Sequence, residues 1–272
     1  MFRKAHILLI ALAAMLLCGC DGFNKLAKST DREAQYAAAV KYYNDGNYGK
    51  ARQLLESLQL NYRDRSKSED IAWMLCISQM KQHDYYLAAY GFTTFLRRYP
   101  YSSHAEDALF NAAYCKYLEA PAYTLDQSLT KEAIADLERF AETYPRSPHI
   151  PEVNSYLDVL QNRLMTKDYE LAYEYYRIGQ YHAAYISLKN FINLYPESPK
   201  KEDAMYYTLK AGYEYGANSR EDKMRERLDQ VISDFNKYAS QFQNTKYLKD
   251  AQDIYTKTKA LLASLDKPKK NK

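Results

Sequence analysis

The chain has 272 residues, enough for one or two domains, and its 47% hydrophobic and 26% charged residues are typical of a folded protein with a core. Only 8 Gly and 8 Pro occur beside 29 Tyr, and this scarcity of turn residues argues against an all-β sandwich or barrel. A formal net charge of +4 is too close to neutral to indicate a nucleic-acid partner.

The N-terminus has the pattern of an export signal that ends in a lipid-attachment cysteine. Two basic residues precede an apolar run over 7–17, which is too short for a permanent membrane-spanning helix but typical of a secretory signal. Leu17 and Gly19 stand three and one residues before Cys20, a spacing similar to the bacterial lipobox. We therefore expect acylation of Cys20; the alternative is an ordinary cleaved signal peptide with an incidental cysteine.

A recurrent alanine predicts the second helix of each repeat. In three copies an aromatic residue or Leu follows the alanine by four residues, a Phe follows by seven, and a Tyr-Pro pair ends the segment. The copies are Ala88 with Phe92, Phe95 and Tyr99; Ala133 with Leu137, Phe140 and Tyr144; and Ala184 with Leu188, Phe191 and Tyr195. Offsets of four and seven place these residues on one helical face, and the proline stops the helix. A fourth copy begins at Ala51 but lacks the proline.

Five residues at identical spacing mark two helix-turn-helix units of tetratricopeptide type. They are Ala39, Tyr42, Gly46, Tyr48 and Ala51 in one unit, and Ala172, Tyr175, Gly179, Tyr181 and Ala184 in the other. The alanines allow two helices to approach closely, and the glycines predict the tight turn between them.

Acidic pairs predict where the first helices begin. Glu69-Asp70, Glu106-Asp107 and Glu202-Asp203 occupy equivalent places in the repeats, and each Glu has an aromatic residue four positions later. Ser66 and Ser103 precede two of these glutamates with the spacing of a capping box. Because the pairs recur at one structural position, we interpret them as helix starts rather than as catalytic acids and bases.

These patterns predict an all-α fold, a tetratricopeptide-repeat solenoid of about five helix pairs with a long fourth first-helix over about 151–178. A fifth pair is expected at about 201–216 and 220–237, and a last helix at about 246–264. The predicted organisation is a signal peptide over 1–19, a lipidated linker over 20–30, an N-terminal half of three repeats over 31–150, a C-terminal half over 151–265, and a basic disordered tail over 266–272.

The sequence contains no motif that indicates catalysis or a bound cofactor. It has no glycine-rich phosphate loop, no Cys/His group with metal-ligand spacing and no nucleophile elbow. Cys76 and Cys115 stand at small-residue positions of separate predicted helices, so we expect buried thiols. The prediction is a protein that is not an enzyme and needs no cofactor or metal.

The lipobox, the Tyr-Pro stops at 99, 144 and 195, and a long helix that runs into Tyr173-x-Tyr175-Tyr176 together resemble the BamD family of outer-membrane β-barrel assembly lipoproteins. The resemblance extends over about 30–240. The segment from Phe95 to Ser102 also looks like the Tol-Pal-associated periplasmic protein CpoB, which has an N-terminal coiled coil and no lipid anchor.

The resemblance implies a scaffold held by acylated Cys20 on the periplasmic side of the outer membrane. The partners it implies are the periplasmic domains of a BamA-like barrel-forming protein, other assembly lipoproteins and unfolded outer-membrane proteins. Asp21 can retain a lipoprotein at the inner membrane in enteric bacteria, so this residue alone leaves the choice of membrane open.

Two sets of residues follow as candidate binding sites. The predicted groove for a targeting peptide is formed by Tyr36, Val40, Tyr43, Trp73, Ile77 and Met80. An alternative is that Tyr36, Tyr43 and Trp73 pack between adjacent repeats. The predicted contact for the barrel-forming partner is formed by Tyr173, Tyr176, Arg177 and Ser187, where Ser187 replaces an Arg that the family usually carries.

Two other functions fit a lipid-anchored helical-repeat protein. One is an adaptor of another envelope complex, since a repeat scaffold does not specify its client. The other is a glycan-binding lipoprotein of the SusD type, although those chains are much longer and this one has a single Trp. Co-purification with a barrel protein or with polysaccharide would distinguish them.

Overall fold

The computed structural model describes residues 22–61 and 67–266, and every regular element in these residues is helical. A short helical turn over 22–27 comes first. The helices that follow are α1 (Arg32–Asn44), α2 (Tyr48–Asn61), α3 (Ser68–Lys81), α4 (Tyr85–Arg98), α5 (Ala105–Glu119), α6 (Ser128–Thr143), α7 (Ile150–Arg177), α8 (Tyr181–Leu194), α9 (Lys201–Ala217), α10 (Glu221–Gln241) and α11 (Leu248–Leu265). The all-α repeat fold and the long fourth first-helix are confirmed. The predicted signal peptide, Cys20 and Ser66 lie outside the described residues.

The chain forms two compact units, and the boundary between them lies within α7. The first unit contains the chain up to Pro121 and Asp126–Leu160, and the second contains Ala122–Leu125 and the chain from Gln161 onward. In the first unit α1 to α6 form three consecutive helix pairs. In the second unit α9 packs on α8, α10 and α11.

The recurrent alanines of the second helices lie in the core between packed helices. Ala51, Ala88, Ala133 and Ala184 are fully buried, and the large residues four and seven positions later are buried around them. A methyl side chain lets the partner helix approach, while the neighbouring large side chains fill the space beside it. The predicted helical register is therefore confirmed.

The turn between the two helices of a repeat requires a left-handed backbone. Gly46 and Gly179 have φ values of 72° and 77°, and His83 occupies the equivalent place in the second repeat with φ 62°. In each case the next residue donates its N–H to a carbonyl five residues back, as Asp84 does to Gln79 at 3.0 Å. The second repeat thus makes the same turn without the glycine that favours it.

The first helices begin differently from the predicted capping box. Ser102 accepts a hydrogen bond from the N–H of His104 at 3.0 Å, and Ser147 and Ser198 make the same bond at 3.1 and 3.0 Å. The capping-box prediction for Ser103 is wrong, because the N-cap residue of α5 is His104 and the helix start has no side-chain capping hydrogen bond. The acidic pairs do lie in the first turns of α3, α5 and α9, as predicted.

Both cysteines of the described chain are buried and free, as predicted. Burial raises the pKa of the Cys76 thiol and of the Cys115 thiol to about 12, so both stay protonated at neutral pH. None of the helices in residues 22–61 and 67–266 combines the length and the apolar character of a membrane span.

The packing predicts a different cost for leucine at two alanines of α6. Ala133 is fully buried, so Ala133→Leu should overpack the core and lower the free energy of unfolding by about 1–3 kcal/mol. Ala135 is exposed on the same helix, and Ala135→Leu should change it by less than about 0.5 kcal/mol. Urea unfolding measures both; equal costs would contradict the assigned packing.

The turn geometry predicts that His83→Gly stabilises the protein. A side chain in the left-handed region costs roughly 1–2 kcal/mol, and glycine removes this cost. Part of the gain in stability is offset by the flexibility that glycine adds to the unfolded chain. We expect a net gain of about 0.5–1 kcal/mol in the free energy of unfolding, measured by thermal unfolding.

Gly46→Ala should lower the free energy of unfolding by about 1 kcal/mol through its backbone alone, since no atom lies within 4 Å of the added Cβ.

Candidate functional site

The first helices of the repeats present one face with a common register. Three positions, separated by four and then three residues, recur on each of them. They are Tyr36, Val40 and Tyr43 on α1; Trp73, Ile77 and Met80 on α3; Phe110, Tyr114 and Tyr117 on α5; Tyr169, Tyr173 and Tyr176 on α7; and Tyr206, Lys210 and Tyr213 on α9. We call this set the first-helix face. Sequence reasoning named its members on α1 and α3 and the last two on α7, but missed Tyr169 and the second and third positions on α5 and α9.

The aromatic residue at the first position is covered by the residue that starts the next repeat. Rings stack in three repeats, and a lysine ammonium lies over the ring in the other two. The pairs are Trp73 with His104 (4.3 Å between ring centroids), Phe110 with His149 (4.0 Å), Tyr206 with Tyr247 (4.0 Å), Tyr36 with Lys67 (4.9 Å from Nζ to centroid) and Tyr169 with Lys200 (5.0 Å). Tyr36 and Trp73, predicted in the groove, thus contribute to packing between repeats.

The acidic pairs join neighbouring repeats as well as starting helices. Ser102 donates a hydrogen bond to Glu69 at 2.5 Å, and His149 pairs with Asp107 at 3.3 Å. In the second unit Tyr247 donates to Asp203 at 2.8 Å. These carboxylates are engaged with the start of the following repeat, which supports a structural role for them.

The second and third positions in the first unit remain partly accessible. Val40, Tyr43, Ile77 and Met80 are all half-buried beside the cores of the first two repeats. Val40 and Ile77 stand at the second position, and Tyr43 and Met80 at the third. The four residues form two neighbouring short rows of apolar surface on α1 and α3.

A stack of tyrosines extends this surface on α5. The Tyr156 ring lies 5.3 Å from Tyr114 and 4.3 Å from Tyr117, with the ring planes close to parallel. Burial raises the pKa of Tyr156 to about 12 and raises the pKa of Tyr114 as well. Both hydroxyls are therefore protonated at neutral pH, and that of Tyr156 donates to Glu152 of the same helix at 3.3 Å.

The second unit gathers its tyrosines around Tyr207. Tyr173 and Tyr176 lie 4.6 and 5.1 Å from this ring, and the Tyr173 hydroxyl donates to the Tyr207 hydroxyl at 3.5 Å. That hydrogen bond, followed by burial, raises the pKa of Tyr207. The ammonium of Lys210 lies 5.8 Å from the Tyr176 ring and 5.4 Å from Tyr206, which adds a cation to the aromatic surface.

The two remaining predicted partner residues have different surroundings. Arg177 is exposed and pairs with Glu174 of the same helix at 2.8 Å. Ser187 is half-buried on α8. Two residues further on, Lys189 pairs with buried Asp234 at 3.2 Å.

The first-helix face suits binding more than chemistry. Rings, methyl groups and protonated hydroxyls provide apolar contact and hydrogen bonds to an extended polypeptide. Within residues 22–61 and 67–266, no group of three or more His, Cys, Asp or Glu side chains is placed to hold a metal ion.

A protein-family model covers both units of the chain. The model, described as "YfiO: Outer membrane lipoprotein", matches residues 28–184 and 167–267. The chain belongs to this family of outer membrane lipoproteins. The match confirms the resemblance that the repeats and the lipobox indicated.

Curated relatives extend over most of the chain at low identity. "Outer membrane protein assembly factor BamD" of Caulobacter vibrioides is 21% identical over 220 residues, which cover 79% of this chain and 72% of the relative. The protein of that name from Vibrio cholerae is 22% identical over 227 residues, covering 80% and 94%. A putative BamD of Aquifex aeolicus is 27% identical over 212 residues, covering 77% and 68%.

Among solved structures, a tetratricopeptide repeat protein from Parabacteroides merdae is similar. It shares 14% identity with a TM-score of 0.34, and the superposition covers 87% of this chain and 78% of the other. The assignment to the repeat class rests on the helix pairs and spacings of the chain itself.

Proposed function

We propose that the protein is a lipid-anchored scaffold at the outer membrane that takes part in assembling outer-membrane β-barrel proteins. The observation that carries this proposal is the family match across both units, together with relatives named as outer membrane protein assembly factors. The repeated first-helix face supports a role in polypeptide binding rather than catalysis.

The anchor in this proposal is Cys20, acylated and inserted into the periplasmic leaflet of the outer membrane. The lipobox spacing of Leu17, Gly19 and Cys20 supports this attachment, and the family description agrees with it. Because the family consists of outer membrane lipoproteins, we assign the outer membrane in spite of Asp21.

The first unit would hold the C-terminal targeting strand of an unfolded outer-membrane protein. Val40, Tyr43, Ile77 and Met80 offer accessible apolar side chains, and the Tyr156 stack adds flat aromatic rings. An extended strand that ends in an aromatic residue can place every second side chain against such a surface, because successive side chains of a strand point to opposite faces.

The second unit would bind the periplasmic domains of a BamA-like barrel-forming protein, alongside other assembly lipoproteins. Tyrosine and arginine are the residue types that contribute most at protein interfaces, and Tyr173, Tyr176 and Arg177 supply them here. Lys189 is paired with Asp234 and does not replace the family arginine at Ser187. Among the described residues, Arg177 pairs only with Glu174 of its own helix. We therefore propose Arg177 as the positive charge that contacts the barrel-forming partner in place of the family arginine.

The anchor is tested by comparing the two cysteines of the leader region. Cys20→Ala should abolish incorporation of labelled palmitate and release the protein from membranes, because the acyl chains are the proposed anchor. Cys18→Ala, two residues earlier, should leave labelling and membrane association unchanged. Retention of the label in Cys20→Ala would contradict the lipobox assignment.

The two binding roles are tested with paired substitutions in the full chain. Ile77→Ala with Met80→Ala should weaken binding of a peptide that ends in an aromatic residue by roughly tenfold, the loss of about 1.4 kcal/mol expected when apolar contacts are removed. Tyr173→Ala with Tyr176→Ala should weaken capture of the barrel-forming partner by a similar factor and leave peptide binding unchanged. Trp73 fluorescence reports peptide binding, and a pull-down reports the partner.

A matched control separates binding from stability. Ile186 and Leu194 are exposed apolar residues of α8 outside the first-helix face, so Ile186→Ala with Leu194→Ala should affect neither assay. Thermal unfolding checks that each variant is folded.

The assignment of roles is reversed if the double variant on α3 impairs partner capture while the double variant on α7 impairs peptide binding. Capture of Tol-Pal components or polysaccharide in place of a barrel protein would favour the alternative functions.

A further inference from the structure

The segment next to the predicted lipid anchor is fixed on the first repeat. Phe23, in the helical turn over 22–27, is only 8% exposed and its ring lies 5.6 Å from that of Tyr42. Leu26 and Ala27 pack against the same core. The described part of the predicted 20–30 linker is therefore held by the folded repeat.

A buried glutamine secures the end of this turn. The side-chain amide of Gln35 is fully buried and donates to the carbonyl oxygens of Leu26 at 3.0 Å, Ala27 at 3.1 Å and Ser29 at 3.1 Å. Leu26 and Ala27 end the helical turn and Ser29 follows it, so Gln35 bonds carbonyls at a helix end, where the regular intrahelical donors are missing. The turn is thus tied to α1 by hydrogen bonds as well as by apolar packing.

The fixed turn carries positive charge on its outer side. Lys25 and Lys28 are exposed and three residues apart, which places them on the same side of the turn. The Lys50 ammonium lies close by, 5.4 Å from the Phe23 ring and 5.3 Å from the Tyr42 ring. In residues 22–61 and 67–266, none of these three lysines has a carboxylate within ion-pair distance.

The distance along the chain places these charges near the bilayer. Phe23 is three positions after Cys20, and an extended chain of that length spans at most about 11 Å. This is close to the screening length of about 8–10 Å at physiological salt. With its acyl chains in the membrane, Cys20 would hold the basic turn within about one screening length of the charged lipid headgroups.

We propose that the turn formed by Lys25 and Lys28, with Lys50 beside it, is a second membrane contact that binds anionic phospholipid headgroups and seats the first repeat on the bilayer. The placement of the turn at the membrane rests on the Cys20 anchor of the proposed function. The charge and rigidity of the turn are independent of that anchor and can be measured without it. A basic patch beside the acyl chains adds an electrostatic attraction of about 1 kcal/mol per lysine near an anionic surface.

The experiment uses the full mature chain with Cys20→Ser, so that no acyl chain is present. Flotation with vesicles of phosphatidylglycerol and phosphatidylcholine, at about 50 mM and about 500 mM salt, measures the charge-dependent partition. Lys25→Gln with Lys28→Gln should weaken partition at low salt by about fivefold per lysine, or about 30-fold together. Lys131→Gln with Lys249→Gln removes equal charge from exposed positions elsewhere and should have little effect.

The outcomes separate this inference from the anchor. The basic contact is overturned if the protein does not bind the anionic vesicles at low salt, or if it binds pure phosphatidylcholine vesicles equally well. It is also overturned if binding falls equally in both double variants. Loss confined to the Lys25 and Lys28 variant supports it. Failure of the palmitate labelling of Cys20 would instead overturn the anchor and leave the vesicle result to stand by itself.

Discussion

The contact between the first-position aromatic ring and the residue that starts the next repeat is the interaction on which the rest of the structure depends. Trp73 under His104 and Phe110 under His149 show it in the first unit, and Tyr206 under Tyr247 shows it in the second. A helix pair buries too little apolar surface to be stable by itself, so neighbouring repeats must cover one another. The acidic pairs reinforce the same junction, as the bond from Ser102 to Glu69 does.

This junction also determines which side chains are available to a ligand. The ring at the first position is committed to packing, while the residues four and seven positions later stay half-buried. In the first unit half of these residues are aliphatic, as Ile77 and Met80 are, and half are tyrosines. In the second they are largely tyrosines joined by ring contacts and a hydroxyl bond to Tyr207. The first unit thus adds aliphatic side chains to the tyrosines and the second adds Lys210, a difference that fits the proposal that each unit binds a different polypeptide.

The fixed N-terminal turn connects the proposed lipid anchor to the first repeat and limits how the repeat can be oriented relative to the membrane. A flexible linker would let the repeats sample many orientations relative to the membrane. Gln35 and the buried Phe23 instead restrict the chain from residue 23 onward. If Lys25 and Lys28 contact headgroups, the first repeat is held in a defined orientation at the bilayer surface.

The sequence by itself determined the helix pairs, their register and the family. Small and large residues recur with the helical period, and the local rules for turns and helix ends act over a few residues, so Ala133, Gly46 and the Tyr-Pro stops could be interpreted without a structure. In the second repeat the glycine is missing from this pattern, and His83 adopts the left-handed backbone in its place. The fold therefore tolerates the strain of a side chain at this turn.

Only the tertiary structure decided which members of the first-helix face are covered and which are accessible. Sequence spacing places Trp73, Ile77 and Met80 on one face but does not show that His104, 31 positions after Trp73, lies on its ring. It likewise could not show that Ser102, rather than Ser103, bonds the N–H at the start of α5, or that Gln35 holds the N-terminal turn. These contacts join residues from separate elements, and their geometry depends on how each helix packs on the next, which local propensity does not specify.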